Sequence, residues 1–253
     1  MTQRKIALVT GGSRGLGKDM AINLARKGLD LVITYNTRKE DAGAVVAELE
    51  KNGAKAAALA LSVNDSSSFI TFFDTLKQTL QQHFGRTTFD FLVNNAGSGL
   101  HKAFAETTAD ELDSMFAIHF KAPFLLAQRS LPLLQDGGGI VNISSGLARF
   151  SFPGHAAYAS MKSAVETLSR YQAKELGSRG IRVNTVAPGA IATDFGGGAV
   201  RDNEALNSQI ASVTALGRAG LPEDIGSVVA FLCTDEARWI NAQRIEVSGG
   251  MML

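Results

Sequence analysis

One cysteine, Cys233, stands in 253 residues, so no disulfide can form within the chain. Its setting, Val-Val-Ala-Phe-Leu-Cys, is apolar and reads as core, not as a nucleophile. No apolar run approaches the roughly 20 residues that a membrane-spanning helix needs. A strand pattern begins at Lys5, which leaves no room for a secretory signal and predicts a cytoplasmic protein. Neither charge sign is in excess: 25 basic and 24 acidic residues give a formal net charge of +1. A nucleic-acid binder would show a basic surplus or stripe, so that class is set aside. The four histidines lie far apart, with no carboxylate at ligand spacing, and no metal is expected. Repeats, low-complexity tracts and linker-like shifts are also missing. One domain over residues 1–253 is the simplest expectation.

Hydrophobic residues make up 45% of the chain, enough for a full core. Strand-like and helix-like patterns alternate. Strands are expected at Lys5–Thr10, Leu29–Tyr35, Ala54–Leu61, Phe89–Val93, Gly139–Ser144, Ile181–Ala187 and Arg244–Val247. Helical spacing follows the first strand through Lys27, then marks Lys39–Lys51, Ser66–His83, Ala109–Leu134, His155–Leu176 and Pro222–Thr234. Pro123 lies inside the fourth of these and predicts a bend or break there. Asp194–Asn203 contains Gly196-Gly197-Gly198 and reads as a loop suited to a lid. Alternation with strands apolar on both faces predicts an α/β fold, a parallel sheet covered by helices on each side.

Two clusters carry chemistry. Thr10-Gly-Gly-Ser-Arg-Gly-Leu-Gly17 follows the first strand and opens a helix. Glycines at 11, 15 and 17 permit a tight turn and a close approach of backbone to a pyrophosphate, and the helix start offers free N–H groups to the anion. Beyond the second strand, Tyr35-Asn-Thr-Arg-Lys39 has no acid until Glu40. An acid there would bind the ribose hydroxyls of NAD. Arg14 and Arg38 instead suit a 2′-phosphate, which favours NADPH over NAD, although Arg38 and Lys39 also fit simple solvation of a helix start. The second cluster is Tyr158-Ala-Ser-Met-Lys162, with Ser145 thirteen residues earlier. Four-residue spacing places the tyrosine and lysine on one helix face. An ammonium beside a phenol is expected to lower its pKa from about 10. Such a phenol exchanges protons with an alcohol or carbonyl oxygen.

With Asn94-Asn-Ala-Gly97, Pro188-Gly-Ala-Ile-Ala-Thr193 and Ser248-Gly-Gly250 added, the chain resembles the short-chain dehydrogenase/reductase family over nearly its whole length. The resemblance implies a single-domain, Rossmann-like, doubly wound sheet of seven parallel strands flanked by helices on both faces. It implies that Tyr158 is the general acid and that Ser145 holds the substrate oxygen. Lys162 would bind the nicotinamide ribose and tune the phenol. Gly11, Ser13, Arg14, Gly15, Leu16, Gly17, Asn94, Ala96 and Gly97 would line the cofactor groove. Pro188, Gly189, Ile191 and Thr193 would meet its nicotinamide end. The activity implied is reversible hydride transfer between NADPH and a ketone or aldehyde. A 3-oxoacyl-[acyl-carrier-protein] reductase is the alternative, and a non-catalytic NADP(H)-binding regulator a third reading. Family members are commonly homotetramers.

Three positions depart from the family pattern. His119 stands where an asparagine usually joins the proton relay; it would titrate near pH 6.5 unless shifted. Ser62-Val63 replaces Asp-Val beside the adenine. Ser248 replaces an aspartate before the closing glycines. The residues expected to face substrate are the 98–100 segment with Leu100, then Leu147, Phe150, Phe152, His155 and the Asp194 loop with Phe195. They are mostly apolar and lack an arginine fork for a carboxylate. A neutral small-molecule carbonyl fits best. His101 and His155 suit either the pocket or the surface.

Overall fold

A computed structural model describes residues 4–253; residues 1–3, which the single-domain expectation includes, lie outside the described residues. The order along the chain is β1 (Ile6–Val9), α1 (Gly15–Arg26), β2 (Asp30–Tyr35), α2 (Lys39–Lys51), β3 (Ala56–Ala60), α3 (Phe69–Thr79), β4 (Phe89–Asn94), α4 (Ala109–Phe116), α5 (Ala122–Ser130), β5 (Leu134–Ile143), α6 (Ala156–Leu176), β6 (Arg182–Pro188), α7 (Ala199–Asp202), α8 (Glu204–Ser212), α9 (Pro222–Leu232) and β7 (Arg244–Val247). The seven strands form one parallel sheet in the order β3-β2-β1-β4-β5-β6-β7. Strand order reverses between β1 and β4. A crevice opens at such a switch point, beyond the carboxyl ends of the strands.

Period-two alternation explains the layers. Ala7 and Val9 of β1 join an apolar cluster with Met20 and Leu24 of α1 and Val229 of α9. Ile6 and Leu8 join the opposite cluster, with Phe69, Phe72 and Leu76 of α3 and Leu126 of α5. Both faces are therefore buried, as a parallel sheet requires. β4 obeys the rule with one interruption. Phe89 packs with the second cluster and Phe91 with the first, although they stand two positions apart. A register shift between them changes the parity. A polar seam crosses the second layer: Asn94 Nδ2 donates to Asn142 Oδ1 at 2.8 Å, and Asn142 Nδ2 donates to Ser169 Oγ at 2.8 Å.

Three expectations need correction. The stretch Ala109–Leu134 is not one helix bent at Pro123. α4 passes into a π-helical turn at Ala117–Lys121, and α5 starts at Ala122 with the proline in its first turn. Lys121 before α5 is itself helical, so the backbone runs on, and the missing proline N–H falls just after the irregular turn. That helix stops at Ser130, and β5 begins at Leu134, five residues ahead of the expected Gly139. Asp194–Asn203 is also more regular than expected. It holds a 3₁₀ turn at Phe195–Gly198 and then α7. Gly196, Gly197 and Gly198 all have positive φ, which lets the chain reverse between the two. The unexpected α8 follows, with the Asn203 side chain accepting from the Leu206 N–H at its start.

Candidate active site

The expected cofactor-binding residues fall at the carboxyl edge of the sheet or on α6, and His119 lies between α4 and α5. The turn 11–17 joins β1 to α1, Arg38 follows β2, and Ser62 and Val63 follow β3. Asn94 ends β4 and leads into Ala96 and Gly97; Ser145 follows β5; Pro188 ends β6 and leads to Gly189, Ile191 and Thr193.

The glycine turn is held by its neighbours. Thr10 Oγ1 accepts from the N–H groups of Asn95 at 2.9 Å and Ala96 at 3.0 Å. Asn95 Nδ2 returns a bond to the Thr10 carbonyl at 2.9 Å. A Cβ at Gly17 would lie 2.2 Å from the Gly11 carbonyl oxygen. Only glycine permits that approach. α1 starts at this turn with no side-chain cap and no acid in its first turn, although Asp and Glu commonly sit there. An uncapped helix start over a glycine cradle fits a dinucleotide pyrophosphate. Arg14 and Arg38 are both exposed; Arg14 pairs with Asp194, and Arg38 reaches Asp41 at 3.2 Å. Both guanidiniums are thus held in exposed surface pairs, which are weak.

Helical spacing brings Tyr158 and Lys162 together on α6. The Lys162 ammonium lies 5.5 Å from the Tyr158 ring centroid and donates to the Ile143 carbonyl at 2.8 Å. The Ser145 hydroxyl lies beside the phenol and favours its ionised form. Ser145 Oγ also accepts from the Leu147 N–H at 3.2 Å, which fixes its rotamer. The expected acidic phenol is not found. Burial pushes Tyr158 up to about 12, and the Ser145 hydroxyl only partly opposes it. Burial likewise brings Lys162 down to about 8. The ammonium is aimed at a carbonyl and not at the phenol oxygen, so removal from water outweighs its pull.

His119 is shifted too. It is 1% exposed and sits in the π-helical turn, edge-on to Tyr158 with ring centroids 4.9 Å apart. Its Nε2 lies 2.7 Å from the Ser98 carbonyl, so that nitrogen carries the proton. Nδ1 is buried without a partner. Burial, and then the Lys162 charge, lower its pKa to about 3. The expectation of titration near pH 6.5 held only for an unshifted ring, and burial supplies the shift that keeps His119 neutral.

Leu147, Phe150, Phe152 and His155 line a cavity of about 320 Å³ beside α6, with Phe104 at its wall. Phe195 leans over Tyr158, ring centroids 6.1 Å apart. His101 and His155, far apart in sequence, meet edge to face at 4.9 Å. Leu100 is half-buried in the segment before His101. Phe104 was not foreseen, because an aromatic in a loop carries no periodic signal. Ser248 Oγ donates to Glu246 Oε1 at 2.8 Å, which gives the substituted position a local partner.

A family model described as Enoyl-(Acyl carrier protein) reductase matches residues 11–252. The chain belongs to the short-chain dehydrogenase/reductase family. Among relatives of this dehydrogenase/reductase is the hydroxynaphthalene reductase-like protein Arp2 of Metarhizium brunneum. It is 37% identical over 257 residues, covering 97% of this chain and 94% of the relative. The promiscuous reductase LugOII, which catalyses keto-reduction at C1 during lugdunomycin biosynthesis, superposes with a TM-score of 0.94 at 40% identity over 100% of both chains. The angucycline C-6 ketoreductase LanV, solved with bound NADP, gives a TM-score of 0.93 at 36% identity, covering 98% of this chain and 95% of its own.

Proposed function

We propose that this dehydrogenase/reductase is an NADPH-dependent ketoreductase for a hydrophobic, ring-bearing small-molecule ketone. The observation that carries the reading is the meeting of Ser145, Tyr158 and Lys162 beside an uncapped, glycine-lined helix start. The ring-bearing substrate is supported by the aromatic lining of the cavity and by the keto-reductions named for LugOII and LanV. The exposed Arg14 and Arg38 support the phosphorylated cofactor.

When bound, the nicotinamide supplies hydride to the carbonyl carbon. The chain supplies the rest. Tyr158 donates its phenolic proton to the carbonyl oxygen as that oxygen gains charge, and the product is an alcohol. A phenol held up near 12 is fully protonated at neutral pH, which suits donation. Ser145 donates a hydrogen bond to the same oxygen. The Lys162 ammonium stabilises the phenolate left behind. His119 stays neutral and fixes the 97–98 segment against Tyr158 through its bond to Ser98.

The test is NADPH consumption with a panel of naphthol-type and polycyclic ketones, simple ketones and 3-oxoacyl thioesters. Tyr158→Phe is expected to lose about 10²-fold or more in kcat and to keep NADPH binding. Tight NADPH binding without turnover on the whole panel would overturn the reading.

The same reading takes residues 1–253 as one domain in a cytoplasmic homotetramer. Phe116, Phe120 and Phe124 support the assembly. They form an aromatic row along α4 and α5, with Phe116 and Phe124 43% and 41% exposed. Tyr171 on α6 is 65% exposed. Among the described residues no helix is long and apolar enough to cross a membrane.

A further inference from the structure

Tyr158, Lys162 and Glu166 recur every fourth residue on α6 and so form one stripe. The first two belong to the proposed chemistry. The third starts a chain of charges that the sequence did not announce. Ser144 Oγ donates to Glu166 Oε1 at 2.6 Å. Arg244, at the first position of β7, donates to the same Glu166 oxygen through Nε at 2.8 Å. Its Nη1 donates to Glu246 Oε2 at 2.8 Å, and its Nη2 to the Ser145 carbonyl at 3.4 Å. Glu246 in turn takes two bonds from Arg149, each of 2.7 Å. Arg149 also donates to the carbonyls of Met251 at 2.8 Å and Met252 at 3.2 Å.

Two carboxylates and two guanidiniums alternate, so the chain is neutral as a whole. Its inner members are shielded: the side chains of Glu166 and Arg244 are 12% and 24% exposed. Burial works against the Arg244 charge, yet the bonds from Glu246 and Glu166 outweigh it and raise its pKa. The Arg149 bonds, against burial, bring Glu246 down to about 2. The Arg149, Arg244 and Glu246 charges are thus favoured by one another.

The position of this chain matters more than its charge. β5 ends at Ile143, and Ser145 lies in the short connection before a 3₁₀ turn at Gly146–Ala148. Arg244 holds that connection from two sides: directly at the Ser145 carbonyl, and through Glu166 at the Ser144 hydroxyl. Glu166 is rooted on the helix that carries Tyr158.

We propose that Arg244 is a positioning residue for the proton-donating site, acting through Glu166 and the 144–145 backbone to set the Ser145 hydroxyl against Tyr158. The proposal rests on the catalytic reading of Ser145 and Tyr158 given above.

The experiment compares Arg244→Met, Arg244→Lys, Glu166→Gln, Ser145→Ala and the Arg244→Met/Ser145→Ala double variant in the full chain. It reads kcat at saturating NADPH, NADPH affinity by fluorescence titration, and melting temperature. Arg244→Met is expected to lower kcat about 10- to 100-fold, as misplacement of a catalytic group does, with NADPH affinity within about twofold. Arg244→Lys keeps the charge without the fork and is expected to recover part of that loss. The double variant is expected to lose little beyond Ser145→Ala alone, because both changes remove one function. Full kcat with a lowered melting temperature would make Arg244 merely structural and overturn the proposal. Additive losses, or equal losses in kcat and NADPH affinity, would overturn it too. If Arg244→Met does not fold, Glu166→Gln and Arg244→Lys carry the same comparison. Full activity in Ser145→Ala would instead sink the catalytic reading itself, an outcome separate from any result at Arg244.

Discussion

The Lys162 ammonium donates to the Ile143 carbonyl at 2.8 Å while it sits 5.5 Å from the centre of the Tyr158 ring. One buried cation thus ties the central sheet to the proposed acid. Burial lowers it from 10.5 to about 8. Reduction needs the charged form, so the rate of NADPH consumption is expected to fall on the alkaline side with a midpoint near 8. A profile flat from pH 6 to 10 would contradict this.

The same shift has a stability consequence. Because the folded pKa lies below the free value, the unfolded chain binds the extra proton between about 8 and 10.5. Below about 8 the fold carries the whole penalty, and it is relieved as pH rises through that window. Lys162→Met is therefore expected to stabilise the fold at pH 7 while removing activity. Denaturant melts of both forms check it; a variant less stable than the parent at pH 7 would show that the ammonium contributes more than it costs.

His119 gives a pH signature of the same sign, lower on the scale. Its folded pKa of about 3 lies below the ordinary 6.5. Stability is then lost as pH falls from about 6.5 toward 3, where the unfolded chain takes the proton. His119 therefore adds no limb to the activity profile between pH 5 and 7. His119→Asn should leave the profile in that range unchanged and flatten the fall of melting temperature there. A profile altered between pH 5 and 7 would restore a titrating role.

The cofactor turn yields a steric and an electrostatic expectation. Gly17→Ala places a methyl 2.2 Å from the Gly11 oxygen and should abolish NADPH binding. Arg14→Ala should raise the KM for NADPH about tenfold, in line with loss of one charge-assisted contact to a phosphate. The KM for NADH should barely move. Equal effects on both cofactors would place Arg14 away from the 2′-phosphate.

The aromatic row on α4 and α5 tests the assembly. Phe116→Asp with Phe124→Asp puts two charges on a surface that is already exposed, so the protomer should fold. Light scattering is expected to show a smaller particle than the parent. An unchanged mass would remove this face from the interface.

Local signals explain what was legible in the sequence. The turn 11–17 needs glycine for backbone reasons confined to a few residues, and Tyr158 and Lys162 meet because one helix spaces them. β7 was found at its observed bounds from its own alternation. The early start of β5 was hidden, because Asp136-Gly-Gly-Gly139 has no strand propensity and lies where the register with β4 shifts, between the Leu134 and Gly139 pairings. The π-helical turn under His119 was hidden for a similar reason: its apolar spacing matches an ordinary helix. The sign of the Tyr158 shift depends on how much of the whole fold covers it. Arg244 and Glu166 stand 78 positions apart, and no local pattern joins them.

Asn94, Asn142 and Ser169 run as a line of amides and a hydroxyl through an otherwise greasy interior. Asn142 is the member that joins the other two, and it also donates to Gln172 Oε1 at 3.1 Å. A leucine at 142 would strip the buried Asn94 amide of its partner. Central strands and the α6 helix are thereby locked in one alignment, and a slip by one residue is forbidden more by unmet polarity than by lost packing.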